Sequence, residues 1–486
     1  MMSILAAIGM ILLLCVEGYS LAAWLSPIRS RLLNLSLALP LASVVNVLLV
    51  CAYTVLSISL TPVTIISGHV MTVIVLHIYQ RVARAARGSQ LVGAQRARVF
   101  LVPRSLGEGG WFFLSLGQKE LFTAILCVLI LAANVIYAFS HAVLLPTFQY
   151  DSATNWTMRS EISFYDRAIA FDPTEVRGMA KPQYPFLFHA LQITANQGQQ
   201  RWNDAVANGI HFLLSLSALC AIFLIVSRLR GRLTGVLSIT LLSCIPLFAL
   251  HLAQGYGDIT LMMEILVSLV CVAAAIDDLR HQQPVHRWLL LSAITVASGV
   301  WTKSEGLQFG LIPWLILVAI PCFWHPQWRK PACIAGLSAI ILAAPWPIFA
   351  LTHGLNLTPH STDTLFAFHP EGVSEVLLGL FSRGSFGVTW YVLAAMLTGT
   401  VIMAIKRDPR IDRLQALALL WGGLVFAEVL FIYLCTPNIV FLMNAESFYR
   451  QMMIPAGMLI ISCMTSIWRR SGSQTAAPIT NSARNN

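Results

Sequence analysis

The sequence predicts an all-α polytopic membrane protein with about thirteen transmembrane helices. Of its 486 residues, 57% are apolar and only 11% are charged, whereas ordinary soluble domains have about 45–50% and about 25%. Apolar runs near the roughly 20 residues that cross a bilayer as a helix recur along the whole chain. A soluble protein of this length could not cover its surface with so few charges. These observations exclude secreted disulfide scaffolds, disordered chains and soluble nucleotide-binding enzymes.

Thirteen apolar runs are the predicted membrane spans. In chain order they cover residues 3–24, 35–57, 63–80, 120–146, 205–227, 233–250, 258–276, 287–302, 308–324, 331–351, 386–405, 414–435 and 451–468. The first run lacks a basic amino-terminal region and a convincing cleavage site, so we expect a retained helix and not a signal peptide. We expect the polar tail over residues 471–486 to be disordered.

The basic residues indicate an orientation in the membrane. The formal net charge is +10, but the basic residues cluster in short segments between apolar runs, such as Arg228–Arg232 and Lys406–Arg413. Cytoplasmic loops attract such clusters. We therefore predict an external amino terminus and a cytoplasmic carboxyl terminus, and we do not expect a nucleic-acid partner.

Two predicted external loops are long, at residues 147–204 and 352–385. Loops of this length usually carry function. In the first loop, apolar residues at mainly helical spacing predict an amphipathic helix that lies on the membrane surface. These apolar residues are Ile162, Phe164, Tyr165, Ala168, Ile169 and Phe171.

Asp151 is the first candidate for chemistry, in the segment YDSATNW at residues 150–156, directly after the fourth predicted span. A carboxylate at the rim of a membrane cavity can accept a proton from an incoming hydroxyl or bind a divalent cation. An aspartate here can equally face water or cap a helix.

Asp258 is the second candidate acid, in the segment GYGD at residues 255–258, where the seventh predicted span begins. An aspartate at this position is a good helix N-cap. The same helix terminus carries partial positive charge suited to a phosphate. The sequence leaves both interpretations open.

Lys303 and Glu305 lie in the segment WTKSEG at residues 301–306, at the predicted outer end of the eighth span. Ionisable residues at this depth are costly and normally face a cavity or a partner. Lys303 can hold a lipid phosphate, with Glu305 as its counter-ion or as a cation ligand. A structural lysine–glutamate pair, or a lysine reaching toward the interface, is the alternative.

Arg450 and Arg383 are two of the few basic residues on the predicted outer side. A guanidinium group binds phosphate through a planar fork of donors, although a rim arginine can also contact lipid head groups. Three acidic residues lie within predicted spans, Glu17, Glu264 and Glu428. We interpret these three as buried hydrogen-bond partners.

Together these segments resemble the GT-C glycosyltransferases. The pattern is a span, an external loop opening with YDSATNW, an amphipathic helix, then GYGD and TKSEG. More narrowly it is similar to the bacterial branch related to protein O-mannosyltransferases and aminoarabinose transferases, as is KPQYPFLFH at residues 181–189. The resemblance implies a GT-C-like catalytic core over residues 119–470, preceded by three additional helices within residues 1–118.

The resemblance also implies a function. Such enzymes reside in the bacterial inner membrane and take part in cell-envelope glycan biosynthesis. At the periplasmic or external face of this membrane, such enzymes move a sugar from a polyprenyl-phosphate donor to a lipid, glycan or protein acceptor. Asp151 matches the family's catalytic acid of the first loop, Asp258 its second acid, and Lys303 a lysine near the donor phosphate. Many members carry paired acids in the first loop, whereas Ser152 follows Asp151 here. The resemblance also suggests a divalent cation, Mg²⁺ or Mn²⁺, with Asp151 and Asp258 as ligands.

Other functions remain open from the sequence. A transporter or lipid flippase tends to show internal repeats and ionisable residues near the bilayer midplane, whereas the candidate residues here gather at one membrane face. A lipid-linked glycan polymerase or ligase would use a larger acceptor and often a diphosphate donor. A purely structural membrane subunit is a further hypothesis.

Overall fold

The computed structural model describes residues 2–28, 30–91, 118–171, 184–355, 366–406, 416–444 and 447–467. Throughout these ranges the regular structure is helical, without strands. This confirms the predicted all-α class. The tail at 471–486, and residues 172–183 and 356–365 of the two long loops, lie outside the described residues.

The amino-terminal region contains four helices. These are α1 (Met2–Leu25), α2 (Arg31–Ser36), α3 (Ala38–Val55) and α4 (Pro62–Leu91). Ser30 caps α2 by accepting a hydrogen bond from the Leu33 backbone N–H at 3.2 Å. The first and third predicted spans fall within α1 and α4, and the second, 35–57, covers the end of α2 and all of α3.

Sixteen further α-helices follow in the described part of the chain. They are α5 (Gln118–Leu144), α6 (Met158–Asp166), α7 (Leu187–Asn196), α8 (Asp204–Arg230), α9 (Arg232–Ser243), α10 (Pro246–Gln254), α11 (Gly257–Arg280), α12 (His286–Thr302), α13 (Ile312–Ala319), α14 (Pro326–Ala343), α15 (Pro345–Thr352), α16 (Glu371–Phe381), α17 (Thr389–Ile405), α18 (Ala416–Cys435), α19 (Ile439–Met443) and α20 (Ser447–Ile467). Two π-helical turns, Ser152–Thr157 and Gly306–Leu311, lead into α6 and α13, and a short 3-10 helix, Ile320–Phe323, follows α13.

In the described ranges, nine continuous helical stretches are long and apolar enough to cross a membrane, with Gly306–Phe323 and Pro326–Thr352 each counted as one. The number is ten if α9 and α10, bent by 76°, form one broken span. Each of the thirteen predicted segments overlaps a helix, but those at 287–302, 386–405 and 451–468 do not meet the same length and hydropathy requirement. The predicted count of thirteen is therefore not confirmed.

The bend between α9 and α10 divides one predicted span, 233–250, into two helices. Pro246 opens α10 and Ile245 before it is extended, because proline disfavours helical geometry in the preceding residue. The helix ends at Gly255, whose φ of +60° is a conformation that glycine adopts readily. Tyr256 is extended and leads into α11, so this connection brings the start of α11 to the site described below.

Helix α11 forms the centre of the bundle. All residues of its most apolar stretch are buried within the protein, whereas only 11% and 17% of the residues in the corresponding stretches of α4 and α5 are buried. Helices α8, α12 and α20 pack around α11. The peripheral helices present large apolar side chains outward, including Val75 on α4 and Leu129 on α5, as lipid contact requires.

The predicted amphipathic surface helix is shorter and packed differently than the sequence indicated. Helix α6 ends at Asp166, because Arg167 adopts a left-handed conformation with φ 55° and ψ 30°. Its buried residues are polar, namely Arg159, Ser160 and Ser163. Since Tyr165 of the apolar stripe is exposed, this short helix packs onto the protein through polar side chains.

Candidate active site

Five charged side chains from distant parts of the sequence meet at one end of the bundle. Asp151 directly precedes the π-helical turn after α5, and Asp258 lies in the first turn of α11. Lys303 follows the last residue of α12, and Glu305 precedes the second π-helical turn. Arg450 lies near the start of α20. Single π-helical turns occur frequently at functional sites, and here two of them adjoin the cluster.

The buried part of the cluster is an ion triad centred on Lys303. Its Nζ lies 2.8 Å from Asp258 Oδ1 and 2.9 Å from Glu305 Oε1. All three residues are at most 6% exposed. Burial alone would lower the pKa of Lys303, but the two carboxylates outweigh it and raise that pKa above its ordinary value. Lys303 therefore carries a fixed positive charge.

The accessible part of the cluster is the ion pair between Arg450 and Asp151. Arg450 Nη1 donates to Asp151 Oδ2 and lies 3.9 Å from Asp258 Oδ2, which connects this pair to the buried triad. Asn155 Nδ2 donates to the other oxygen of Asp151 at 2.8 Å. The side chains of Arg450 and Asp151 are 22% and 27% exposed. These two groups can meet a substrate, with the triad behind them.

Aromatic rings support both cations. Lys303 Nζ lies 5.9 Å from the centre of the Tyr184 ring, and the Arg450 guanidinium lies 5.9 Å from that of Tyr256. Trp156 stacks on Tyr184 with the ring centres 4.8 Å apart and the planes at 11°. Burial, aided by Asp151, raises the pKa of Tyr256 to about 12 against the opposing effect of Arg450. At neutral pH this phenol therefore remains protonated, and its ring can hold Arg450 by a cation–π contact.

Three buried oxygen atoms around Lys303 have no hydrogen-bond partner in the described structure. They are Asp258 Oδ2, Glu305 Oε2 and Gln451 Oε1. The Gln451 amide nitrogen donates to Glu305 Oε1 at 3.4 Å. Buried acceptors are costly to leave unpaired, so these atoms are suited to accept hydrogen bonds from buried water molecules.

The structure brings together five of the residues singled out from the sequence and separates the sixth. Arg383 Nη1 donates to Tyr449 Oη at 3.0 Å, and its Nη2 pairs with Glu375. It thus contacts the neighbour of Arg450 and no member of the charged cluster in the described structure.

Sequence reasoning missed Asn155, Tyr184, Tyr256 and Gln451. Two of them had a usable signal. Asn155 is four residues after Asp151 and lies on the same helical face, and Gln451 directly follows Arg450. The two tyrosines are brought in only by the tertiary fold.

The two acids predicted as metal ligands share a cation that belongs to the protein. One nitrogen of Arg450 faces carboxylate oxygens of both Asp151 and Asp258. Among the described residues no group of three or more His, Cys, Asp or Glu side chains is arranged to hold a metal. A divalent cation between the two acids would have to displace Arg450, so this donor set does not fit one as arranged. The cation stays a prediction, and no step below depends on it.

Residues 190–349, about a third of the chain, match the family model described as dolichyl-phosphate-mannose-protein mannosyltransferase. This chain resembles the GT-C membrane glycosyltransferases. The match confirms the resemblance predicted from the short motifs and supports a membrane glycosyltransferase. It contains Asp258, Lys303 and Glu305, whereas Asp151 and Arg450 lie outside it.

Two solved structures are also similar, those of ArnT from Cupriavidus metallidurans bound to undecaprenyl phosphate and in the apo state. Each is 15% identical to this chain with a TM-score of 0.48, and covers 69% of it. The chain spans 59% of the length of either ArnT chain. No curated protein sequence matches it.

Proposed function

We propose that this protein transfers a sugar from a polyprenyl-phosphate-linked donor to an acceptor hydroxyl or amine. The observation that carries the proposal is the accessible Asp151–Arg450 ion pair at one end of the helix bundle. In this pair the carboxylate can accept a proton, and the neighbouring guanidinium can bind a phosphate. The family match supports sugar transfer, since its description names a lipid phosphate carrying mannose.

In this proposal Arg450 binds the donor phosphate. Its guanidinium offers five N–H donors in a planar fork, so it can hold a phosphate while it still contacts Asp151. Exchange of part of its pairing from Asp151 to the phosphate leaves Asp151 Oδ2 able to accept a proton. Donor binding would thereby activate Asp151 as a base.

The transfer itself is a single displacement, and we expect inversion at the sugar. Asp151 takes the proton from the acceptor hydroxyl or amine, and the acceptor atom forms a bond to the anomeric carbon. The bond between that carbon and the phosphate oxygen breaks, and its electron pair stays with the phosphate. Arg450 stabilises the added negative charge on the leaving group.

Lys303 and its two partner carboxylates lie on the buried side of the Asp151–Arg450 pair. Lys303 adds positive charge on the donor-phosphate side and fixes Asp258, which in turn orients Arg450 across 3.9 Å. Arg383 contributes by holding Tyr449 beside Arg450.

The surroundings of the reaction follow the sequence resemblance. We propose an inner-membrane enzyme of a bacterial cell envelope, with the site at the periplasmic or external face. The acceptor would be a lipid, a glycan or a protein. The basic clusters between spans support this orientation, since they favour cytoplasmic placement of the opposite end of the bundle.

Native mass spectrometry of the purified protein, combined with a turnover assay, tests the proposal. We expect wild type to retain a polyprenyl phosphate or its monosaccharide adduct, and Lys303→Ala or Arg450→Ala to lose it. Asp151→Asn should abolish turnover and keep the lipid, because it removes the proton acceptor but no phosphate ligand. Asp166→Asn, an exposed acid of the same loop, is the matched control.

Each alternative function has its own outcome in this experiment. A bound diphosphate-linked oligosaccharide would indicate a glycan polymerase or ligase. Bulk phospholipid alone in a gently extracted wild-type sample would favour a transporter. Full activity of Asp151→Asn would contradict the assigned base. Treatment with EDTA tests the separate cation prediction, which needs a loss of activity that Mg²⁺ or Mn²⁺ restores.

A further inference from the structure

A buried chain of polar side chains joins the amino-terminal helices to α7. Glu17 of α1 lies with Oε2 2.9 Å from Nδ1 of His69 on α4. The other ring nitrogen, Nε2, lies 3.1 Å from Asn46 Oδ1 on α3. Thr194 Oγ1 of α7 donates to the same Asn46 oxygen at 2.8 Å. All four residues are at most 1% exposed.

The orientation of the Asn46 amide sets the proton arrangement of these buried side chains. Asn46 Oδ1 can only accept, so His69 Nε2 carries a proton and donates it to Asn46. Glu17 and His69 Nδ1 then share one further proton. Whichever of the two holds it, the pair has no net charge, which reduces the cost of burying it within membrane-spanning helices.

Helix α7 connects this chain to the segment that carries Asp151. All ten residues of α7 are buried. His189 Nδ1 lies 2.9 Å from Ser160 Oγ of α6, and the His189 ring stacks on Trp156 with the centres 5.7 Å apart. Ser160 Oγ donates to the Trp156 carbonyl at 3.0 Å, so it accepts from His189. Both contacts fix the turn that begins at Asp151.

The connection between α3 and α4 makes two further contacts to the same region. The Leu60 backbone N–H donates to the Arg167 carbonyl, at the end of α6, at 2.7 Å. Gln197, at the end of α7, donates through Nε2 to the Leu60 carbonyl at 3.3 Å. The amino-terminal helices thus hold the ends of both short helices that flank the catalytic segment.

We propose that α1, α3 and α4 act as a brace that positions the catalytic segment 151–160, and that Glu17, His69 and Asn46 are positioning residues. This inference rests on the proposed function. It gives a role to three helices that lie outside the family match. An ionisable pair within membrane-spanning helices is costly and would be replaced by apolar packing at little loss if the helices served only as an anchor.

Substitution of Glu17 with a matched control tests the brace. In Glu17→Ala, His69 loses its partner, and we expect kcat to fall at least tenfold while KM for the donor stays within twofold. Glu17→Gln can still donate to His69 Nδ1, so kcat should stay within twofold of wild type. Val16→Ala alters the neighbouring, exposed side chain of the same helix and should behave as wild type.

Hydrogen–deuterium exchange gives a readout that is independent of activity. Glu17→Ala should exchange faster than wild type across residues 151–160 and α7 but not across α11, whereas Glu17→Gln and Val16→Ala should not. Unchanged exchange in Glu17→Ala, equal effects of Ala and Gln, or faster exchange throughout the bundle would each overturn the brace. If wild type lacks sugar transfer but the exchange pattern holds, the proposed function fails and the brace stands.

Discussion

At the scale of single residues, Lys303 is the group whose removal should cost the most stability. Two buried carboxylates depend on it, and removing one partner of a buried ion pair typically costs about 3–5 kcal/mol. We expect Lys303→Ala to lower the thermal midpoint of the solubilised protein markedly. Adding Glu305→Gln should recover part of the loss, because one unpaired charge is removed. Lys119→Ala, at an exposed position on α5, is the control, and equal midpoints for the two alanine variants would contradict the triad's importance.

Arg450 supports a second prediction at the same scale. Lysine in its place keeps the charge but loses the planar fork that contacts Asp151 and a phosphate together. We expect Arg450→Lys to lower kcat/KM at least tenfold, which is about 1.4 kcal/mol of transition-state stabilisation. Arg383→Lys should have a smaller effect, since Arg383 reaches the cluster only through Tyr449. Equal losses of kcat/KM for the two variants in steady-state assays would show that Arg450 is not a closer ligand of the donor phosphate than Arg383.

At the scale of elements, the close approach of α11 to the catalytic segment depends on Gly257. A Cβ there would lie 2.4 Å from the Trp156 ring, which packs on Tyr184 and His189 and has little room to move. Overpacking of this kind typically costs about 1–3 kcal/mol. We expect Gly257→Ala to lower kcat by tenfold or more. Gly209→Ala on α8, with nothing within 4 Å of the added Cβ, should be near wild type, and a similar kcat for both variants would contradict this packing argument.

The elements also show what a sequence can and cannot predict here. Apolar length is enough to predict the helices, since a bilayer requires it. Pro246 bends one predicted span, and the left-handed Arg167 ends α6 before the apolar stripe does. Proline is visible in the sequence, but its effect on a span depends on neighbouring helices. The apolar stripe gave no signal that α6 packs through Arg159 and Ser160.

For the candidate site, charge made the difference between what was predicted and what was missed. Asp151, Lys303 and Arg450 stood out because ionisable residues are unusual beside membrane spans. Tyr184 and Tyr256 did not, since tyrosines are common at membrane interfaces. Their roles follow from contacts between segments far apart in the chain, and short-range patterns do not contain such contacts.

For the whole molecule, the decisive prediction concerns which membrane face holds the site. Asp258 lies in the first turn of α11, which runs from Gly257 to Arg280, and His281 directly follows the other end. The 24 residues between these ends span about 36 Å at 1.5 Å per residue, more than the roughly 30 Å of a hydrocarbon core. Helix α11 is therefore long enough to cross the membrane. As a membrane span it would place its two ends on opposite sides, and thiol labelling can tell which end is external.

Two introduced cysteines make this test, at the exposed positions Gln200 and His281. Gln200 precedes α8, whose first residue, Asp204, accepts a hydrogen bond from the Thr147 backbone at the site end. A membrane-impermeant maleimide should label Gln200→Cys in intact cells and His281→Cys only after permeabilisation, each above the background of ten native cysteines. The reverse pattern would place the site in the cytoplasm. It would overturn the outward-facing assignment but leave the chemistry of the Asp151–Arg450 pair intact.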